Sequence, residues 1–158
     1  MITFVSALWF LFGATMYVGT MWVLKWFLFP TWRGLSRDNV GTHFGIPTKR
    51  ATAFFTGVVP LMFVAAIILV VTEWGTRWVW FGVACLVGIF VLTFVGQGII
   101  IPINKRIRGG DFADDAELRS LLHRWMTLND IRFYGSTFTW VAITWYVVAR
   151  GDLLGALT

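Results

Sequence analysis

The fold is decided by residues 78–103, which read WVWFGVACLVGIFVLTFVGQGIIIPI. This stretch carries no charged side chain over 26 positions. An α-helix needs about 20 apolar residues to cross the hydrocarbon core of a bilayer. Because the backbone must satisfy its own hydrogen bonds in lipid, the stretch is predicted to form a transmembrane helix.

Three further stretches have the same character. They are residues 2–29, in which Lys25 is the single charge, residues 51–72 and residues 133–149. Together the four stretches predict an all-α fold, an integral membrane four-helix antiparallel bundle. We expect one domain over residues 1–158, with spans at about 2–29, 51–72, 78–103 and 133–149.

The composition excludes several classes of protein. Hydrophobic residues make up 58% of the chain and charged residues 13%, whereas about 25% of a soluble domain is charged. A soluble enzyme and a disordered chain are therefore excluded. The lone Cys85 cannot form an internal disulfide, which excludes a secreted disulfide scaffold.

The positive charges predict an orientation in the membrane. Eleven of the 13 Lys and Arg residues belong to loops 30–50 and 104–132 or to the adjacent Lys25, and the other side has only Arg77 and Arg150. The positive-inside rule places both loops in the cytoplasm and both termini on the non-cytoplasmic side of the plasma (inner) membrane. The net charge of +5 then indicates contact with the lipid bilayer and its anionic headgroups, and no nucleic-acid partner is expected.

The two basic loops are predicted to differ in structure. Loop 30–50 contains Pro30 and Pro47 and is expected to be irregular, with at most a short surface helix. Loop 104–132 is expected to turn at Gly109 and Gly110 and then to enter a helix capped by Asp111 or Asp114.

The helix in loop 104–132 is predicted to be amphipathic. Its apolar positions follow a spacing of i, i+3, i+4 and i+7, at Leu118, Leu121, Leu122 and Trp125. We expect a cytoplasmic amphipathic helical extension before the fourth span, either continuous with it or bent near Gly135.

Small residues are expected to bring helices together, because hydrophobicity does not drive helix association in lipid. Two pairs at a spacing of four are candidates, Ala53 with Gly57 and Ala84 with Gly88.

Polar side chains form three stripes at helical spacing. In each stripe the polar residues become more frequent toward the cytoplasmic end of the span. In an antiparallel bundle the stripes are predicted to converge on one polar pocket near the cytoplasmic interface. The candidate ligand-binding residues are Tyr17, Lys25, Gln97, Asn104, Trp125, Asn129 and Arg132.

Each of these residues also has a structural interpretation. Asn104 follows Pro102 and suits a helix end, Asn129 and Arg132 suit a tie between loop and helix, and Lys25 beside tryptophans suits snorkelling to the interface. Gln97 lies inside a span and is expected to need a polar partner across the bundle.

The spans contain no Asp, Glu or His. This argues against a proton-coupled transporter and against paired haem ligands within the bundle. His43 and His123 lie in the loops without Cys or carboxylate at ligand spacing, so no metal site and no cofactor are predicted.

The sequence Ile101-Pro102-Ile103-Asn104 ends the third span, and Trp125, Asn129 and Arg132 follow as W-x-x-x-N-x-x-R. On these residues the chain resembles the anthrone oxygenase-like family of small four-span membrane proteins. The resemblance implies oxidation of an anthrone to an anthraquinone by O₂ without metal or flavin.

The resemblance also implies roles for single residues. Arg132 would stabilise the substrate anion, Asn104 and Asn129 would orient it, and Trp125 would stack on the planar ring. These three polar residues are the catalytic candidates. The reaction also needs a base, for which the candidates are Tyr17, Lys25 and His43, none of them in a recognisable dyad.

Two main functions are therefore predicted. The first is a non-catalytic accessory subunit of a membrane complex, or a binder of a planar lipid-soluble ligand such as a quinone or a polycyclic molecule, acting with a membrane-protein partner or as a homo-oligomer. The alternative is a cofactor-independent oxygenase acting on an anthrone- or quinol-like substrate. A small transporter or channel is a third hypothesis, which would require oligomerisation.

Overall fold

The structure, a computed structural model, describes residues 1–151. Four long helices account for most of this part of the chain, and it contains no strand. They are α1 (Ile2–Trp32), α2 (Arg37–Thr72), α3 (Val79–Gly109) and α4 (Asp115–Arg150). The predicted all-α fold is confirmed.

The helices form an antiparallel bundle. α1 packs against α2 and α4, and α3 packs against the same two helices, so each helix has two neighbours. The α1–α2 and α3–α4 connections lie at one end, called here the basic end because it holds most of the Lys and Arg residues. The short α2–α3 connection defines the opposite, hairpin end.

Three of the helices are long and apolar enough to cross a membrane, namely α1, α2 and α3. This composition identifies a membrane protein. α4 does not meet the same criterion because its first half carries many charged side chains, and only residues 133–149 are free of them. The fourth span therefore remains a prediction, although α4 completes the bundle beside the other three helices.

The prediction of an irregular loop at 30–50 is wrong. α1 continues to Trp32 and α2 begins at Arg37, which leaves only residues 33–36 outside a helix. The prolines do not break the helices because each follows a π-helical turn, Leu24–Leu28 before Pro30 and Gly41–Gly45 before Pro47. The wider turn accommodates a residue that lacks an N–H and would otherwise clash with a carbonyl of the preceding turn.

The amphipathic extension before the fourth span is confirmed as the first half of α4. Asp114 caps the helix by accepting a hydrogen bond from the Glu117 N–H at 2.9 Å. The four predicted apolar residues are all buried against the ends of α1 and α3. α4 does not break at Gly135, where a Cβ would lie 3.3 Å from Leu92, so this glycine serves close packing with α3.

The hairpin half of the bundle is tightly packed. A Cβ at Gly13 would lie 2.6 Å from the sulfur of buried Met62, and one at Gly88 would collide with Thr139. Gly88 therefore provides the predicted close approach. Gly57 does not, because nothing lies within 4 Å of the position its Cβ would take.

The basic half is different, because α2 is less deeply buried against its neighbours there. Thr48 and Met62 are buried, but no residue of 49–61 is buried. α2 is thus attached at both ends of this segment and leaves a space between itself, α1 and α3.

Candidate functional site

The space beside residues 49–61 is a cavity of about 830 Å³. Side chains of α1, α2 and α3 form most of its largely apolar wall, and α4 contributes Trp125 and Arg132. Its volume falls in the range of small-molecule binding sites, about 300–1,000 Å³.

Arg132 places a guanidinium in the wall of this cavity. Its Nε and Nη2 donate hydrogen bonds to the Tyr17 hydroxyl at 2.8 and 2.5 Å, and the guanidinium carbon lies 5.3 Å from the centre of the Tyr17 ring. Gly96 on α3 leaves room for the group, since a Cβ there would come within 3.9 Å of it.

The charge of Arg132 is not neutralised by a carboxylate. Within residues 1–151 no Asp or Glu forms an ion pair with it. Asp130, two residues earlier, accepts a hydrogen bond from Lys25 Nζ at 2.7 Å. A guanidinium facing an apolar cavity without a counter-ion is a strong attractor for an anion.

A chain of hydrogen bonds that leads into the buried core holds Arg132 in place. Its Nη1 donates to Asn129 Oδ1 at 2.8 Å, and Asn129 Nδ2 donates to the Trp125 carbonyl at 2.8 Å. The Trp125 indole N–H donates to Asn104 Oδ1 at 2.6 Å. The structure thus brings together five of the seven predicted site residues, Tyr17, Asn104, Trp125, Asn129 and Arg132.

Trp125 is 2% exposed, and aromatic rings surround it. Its ring centre lies 5.1 Å from that of Phe44, 5.4 Å from that of Trp32 and 5.8 Å from that of Phe29. This aromatic cluster closes the basic end of the cavity. Trp125 thus positions Asn104 and fills the core, and little of its face is left for a ligand.

Lys25 is separate from this group. Its Nζ lies over the rings of Phe133 and Tyr134, at 4.7 and 4.9 Å, as well as beside Asp130, and the residue is not part of the cavity wall. His43 is exposed on a π turn and is also absent from the wall. Of the three candidate bases, Tyr17 alone lines the cavity.

Gln97 lines the cavity from α3 and is exposed. The partner across the bundle that we expected does not exist among the described residues, where no side chain or backbone group is hydrogen-bonded to its amide. Its amide is therefore available to a bound molecule.

Threonines of α2 that sequence reasoning missed also face the cavity. The hydroxyls of Thr48, Thr52 and Thr56 each donate to the carbonyl four residues earlier, at 2.7–2.8 Å. Each oxygen keeps a lone pair directed away from that bond. The spacing 48, 52, 56 was the signal, since it puts the three hydroxyls on one helix face.

Phe55 is a further residue of the cavity that the sequence did not indicate. Its ring lies 4.8 Å from that of Tyr17, so it connects segment 49–61 of α2 to the Arg132 site.

No group of three or more metal-binding side chains occurs in the part of the chain that the structure describes.

Comparison with known proteins agrees with the resemblance seen in the sequence. The model of the anthrone oxygenase family matches residues 47–143, more than half of the chain. The match includes Asn104, Trp125, Asn129 and Arg132, whereas Tyr17 lies outside it. No curated protein and no solved structure matches the chain.

Proposed function

Because this chain belongs to the anthrone oxygenase family, we propose that it oxidises a planar, lipid-soluble, anthrone-like compound with O₂ at the Arg132 cavity. The observation that carries the proposal is the un-neutralised guanidinium of Arg132, which faces an apolar cavity of about 830 Å³.

The proposed reaction balances with O₂ as the oxidant. A base removes one proton from the methylene carbon opposite the carbonyl, and the electron pair spreads over the rings onto the carbonyl oxygen. The carbanion form reduces O₂ and a carbon–oxygen bond forms, and the resulting peroxide anion takes back the proton held by the base, which gives a hydroperoxide. Loss of the second methylene proton with cleavage of the O–O bond releases water and leaves the second carbonyl of the quinone.

Arg132 suits the first step, because the charge that develops in that step lies on oxygen. A guanidinium held in advance beside an apolar site stabilises an oxyanion without reorganising. Tyr17 and Asn129 already accept from three of its N–H groups, and its two remaining N–H protons are left for a ligand.

Tyr17 is the wall residue best placed to exchange a proton with the ligand. Its hydroxyl accepts two hydrogen bonds from Arg132, so its own proton is not needed for that contact. We assign Tyr17, in its phenolate form, as the candidate base, and Asn129 as the residue that positions Arg132, with Asn104 hydrogen-bonded to Trp125 behind it.

The shape of the bundle supports access from the bilayer. The aromatic cluster around Trp125 closes the basic end, and close packing at Gly13 and Gly88 closes the hairpin half. Segment 49–61 of α2, in which no residue is buried, is left as the side of the cavity that meets lipid. An apolar planar compound dissolved in the membrane suits such a route.

A second candidate is binding without turnover, as a carrier of a quinone-like molecule or an accessory subunit of a membrane complex. It is favoured by the position of Lys25 and His43 outside the cavity wall, which leaves one candidate base, Tyr17.

The location follows the sequence argument. We place the basic end in the cytoplasm and both termini on the other side of the plasma (inner) membrane, because Lys and Arg residues concentrate at the basic end.

The deciding experiment measures O₂ uptake and anthraquinone formation by the purified protein in nanodiscs supplied with anthrone, after subtraction of the uncatalysed rate. We expect Arg132→Gln to lower turnover by about 10²–10³-fold, the usual effect of removing an oxyanion-stabilising donor. Arg124→Gln is the matched control, because Arg124 is an exposed arginine of the same helix outside the cavity wall.

The same samples separate the two candidates. Binding of anthraquinone, followed by quenching of tryptophan fluorescence, together with no O₂ uptake would favour binding without turnover. Neither uptake nor binding by a folded wild-type protein would overturn both. Arg132→Lys retains the charge but not the two-pronged donor geometry, so it should retain folding and lose most activity.

A further inference from the structure

A second cavity of about 340 Å³ lies at the basic end, on the outer side of α1 and α4. Its floor is apolar and consists of Phe29, Leu122 and Met126, all buried. Arg33 at the end of α1 and Arg119 and His123 on α4 stand exposed at its rim. We call this site the Arg33–Arg119 groove.

The groove has a net positive charge. Neither Arg33 nor Arg119 forms an ion pair or a side-chain hydrogen bond within residues 1–151. Asp130 also lines the groove, but its carboxylate is held by Lys25 Nζ at 2.7 Å. The arginines are thus left as uncompensated charges beside the apolar floor.

The groove lies where a lipid headgroup would be found. Arg33 is eight residues beyond Lys25, or about 12 Å along the helix axis, just past the apolar stretch of α1. Trp22 and Trp26 are exposed on the part of α1 that precedes the groove, and Phe29 follows them as part of the buried floor, so exposed aromatic rings lie between the apolar stretch of α1 and the cationic rim.

We propose that the Arg33–Arg119 groove binds the phosphate of an acidic phospholipid, with the acyl chains directed toward the apolar stretch of α1. The two guanidinium groups supply the donors that a phosphate requires, and the apolar floor accommodates the glycerol and the upper acyl chain. The basic end would then bind an acidic lipid at one defined site, in addition to attracting anionic headgroups in general. This site is distinct from the Arg132 cavity and does not depend on the proposed oxidation.

The test measures binding of dioleoylphosphatidylglycerol to the intact protein by native mass spectrometry in mild detergent, with dioleoylphosphatidylcholine as the neutral comparison. We expect the wild-type protein to bind the anionic phosphatidylglycerol more tightly than the neutral phosphatidylcholine. The double variant Arg33→Gln/Arg119→Gln should weaken its binding about 30-fold, roughly fivefold for each arginine. The control is Arg50→Gln/Arg124→Gln, which removes two exposed arginines from the same end of the bundle but none from the groove.

Each outcome decides the question. Equal weakening by both double variants would show diffuse attraction and overturn the proposal, as would the absence of any preference in wild type. Inorganic phosphate that competes at the same concentration as the lipid would point to a soluble anion and not to a lipid. Arg33→Lys/Arg119→Lys keeps the charge, so recovery of binding in that variant would exclude a folding defect as the cause.

Discussion

Arg132 of α4 donates two hydrogen bonds to the hydroxyl of Tyr17 on α1, a residue 115 positions away in the chain. The contact joins the two helices at the cavity wall and leaves the guanidinium without a carboxylate partner. We expect both the proposed function and the stability of the basic half to depend on this pair.

Tyr17→Phe should lower both activity and stability. The ring and its packing on Phe55 remain, but Arg132 loses the acceptor of two hydrogen bonds. We expect a loss of about 1.5–3 kcal/mol in unfolding free energy, the usual value for hydrogen bonds to a charged group. Thermal unfolding in detergent measures the stability, and O₂ uptake measures turnover.

Tyr134→Phe is the control, since Tyr134 is an exposed tyrosine outside the cavity wall and keeps its ring over Lys25. Equal stability of Tyr17→Phe and wild type would contradict the structure.

Glu73 at the hairpin end should make stability depend on acid. It is 3% exposed, and burial by itself raises the pKa of its carboxyl group. Hydrogen bonds from Tyr146 at 2.7 Å, Arg150 at 3.2 Å and Thr76 at 3.1 Å outweigh burial, so the pKa is lowered overall. A pKa lower in the folded than in the unfolded state gives stability that is complete above the unfolded pKa. That stability is lost as the pH falls through the pKa that Glu73 has in the folded state.

We expect Glu73→Gln to remove this acid dependence from the melting temperature, while Asp38→Asn, an exposed control at the other end, retains it. Parallel pH curves for wild type and Glu73→Gln would rule out the effect.

Glycine substitutions should separate the two halves of the bundle. Gly88→Ala forces a Cβ into Thr139 and should cost about 1–3 kcal/mol, the usual penalty of overpacking. Gly57→Ala meets nothing within 4 Å and should be neutral or stabilise α2 by up to about 1 kcal/mol, because alanine is the better helix former. Thermal unfolding of both variants gives the comparison. A Gly88→Ala protein as stable as Gly57→Ala would mean that α3 and α4 are not in close contact.

The proposed orientation can be tested by labelling single cysteines. The native Cys85 is fully buried, so it should give little background. We expect Asp38→Cys, exposed at the basic end, to react with a membrane-impermeant maleimide only in inside-out vesicles. Trp74→Cys, exposed at the hairpin end, should react only in right-side-out vesicles. The reverse pattern would place the basic end outside.

Part of the site follows from the sequence because it lies within one helix. Trp125, Asn129 and Arg132 share a face at i, i+4 and i+7, and a helical count is enough to group them. The partner of Arg132 could not be found in this way. Which residue of α1 lies at the depth of Arg132 depends on how two distant helices are rotated and shifted against each other.

The π turns explain a second limit of sequence reasoning. A regular helical count puts Gln97 and Asn104 on one face, but Gln97 lies within the π turn Val95–Ile100 and Asn104 follows it. The i→i+5 hydrogen bonds of this turn change the face of the residues that follow. In the structure Gln97 is exposed while Asn104 is buried against Trp125. The prolines that suggested irregular loops mark the positions of these turns.

Close packing in the hairpin half and the aromatic cluster at the other end leave residues 49–61 of α2 as the least buried side of the cavity. In the proposed oxidation, the anthrone-like substrate and the quinone product would therefore both pass through this side of the cavity. Quinone dissolved in the membrane would then compete with the substrate for this entrance. The rate of the proposed oxidation would therefore depend on the ratio of the two compounds in the lipid rather than on the amount of either.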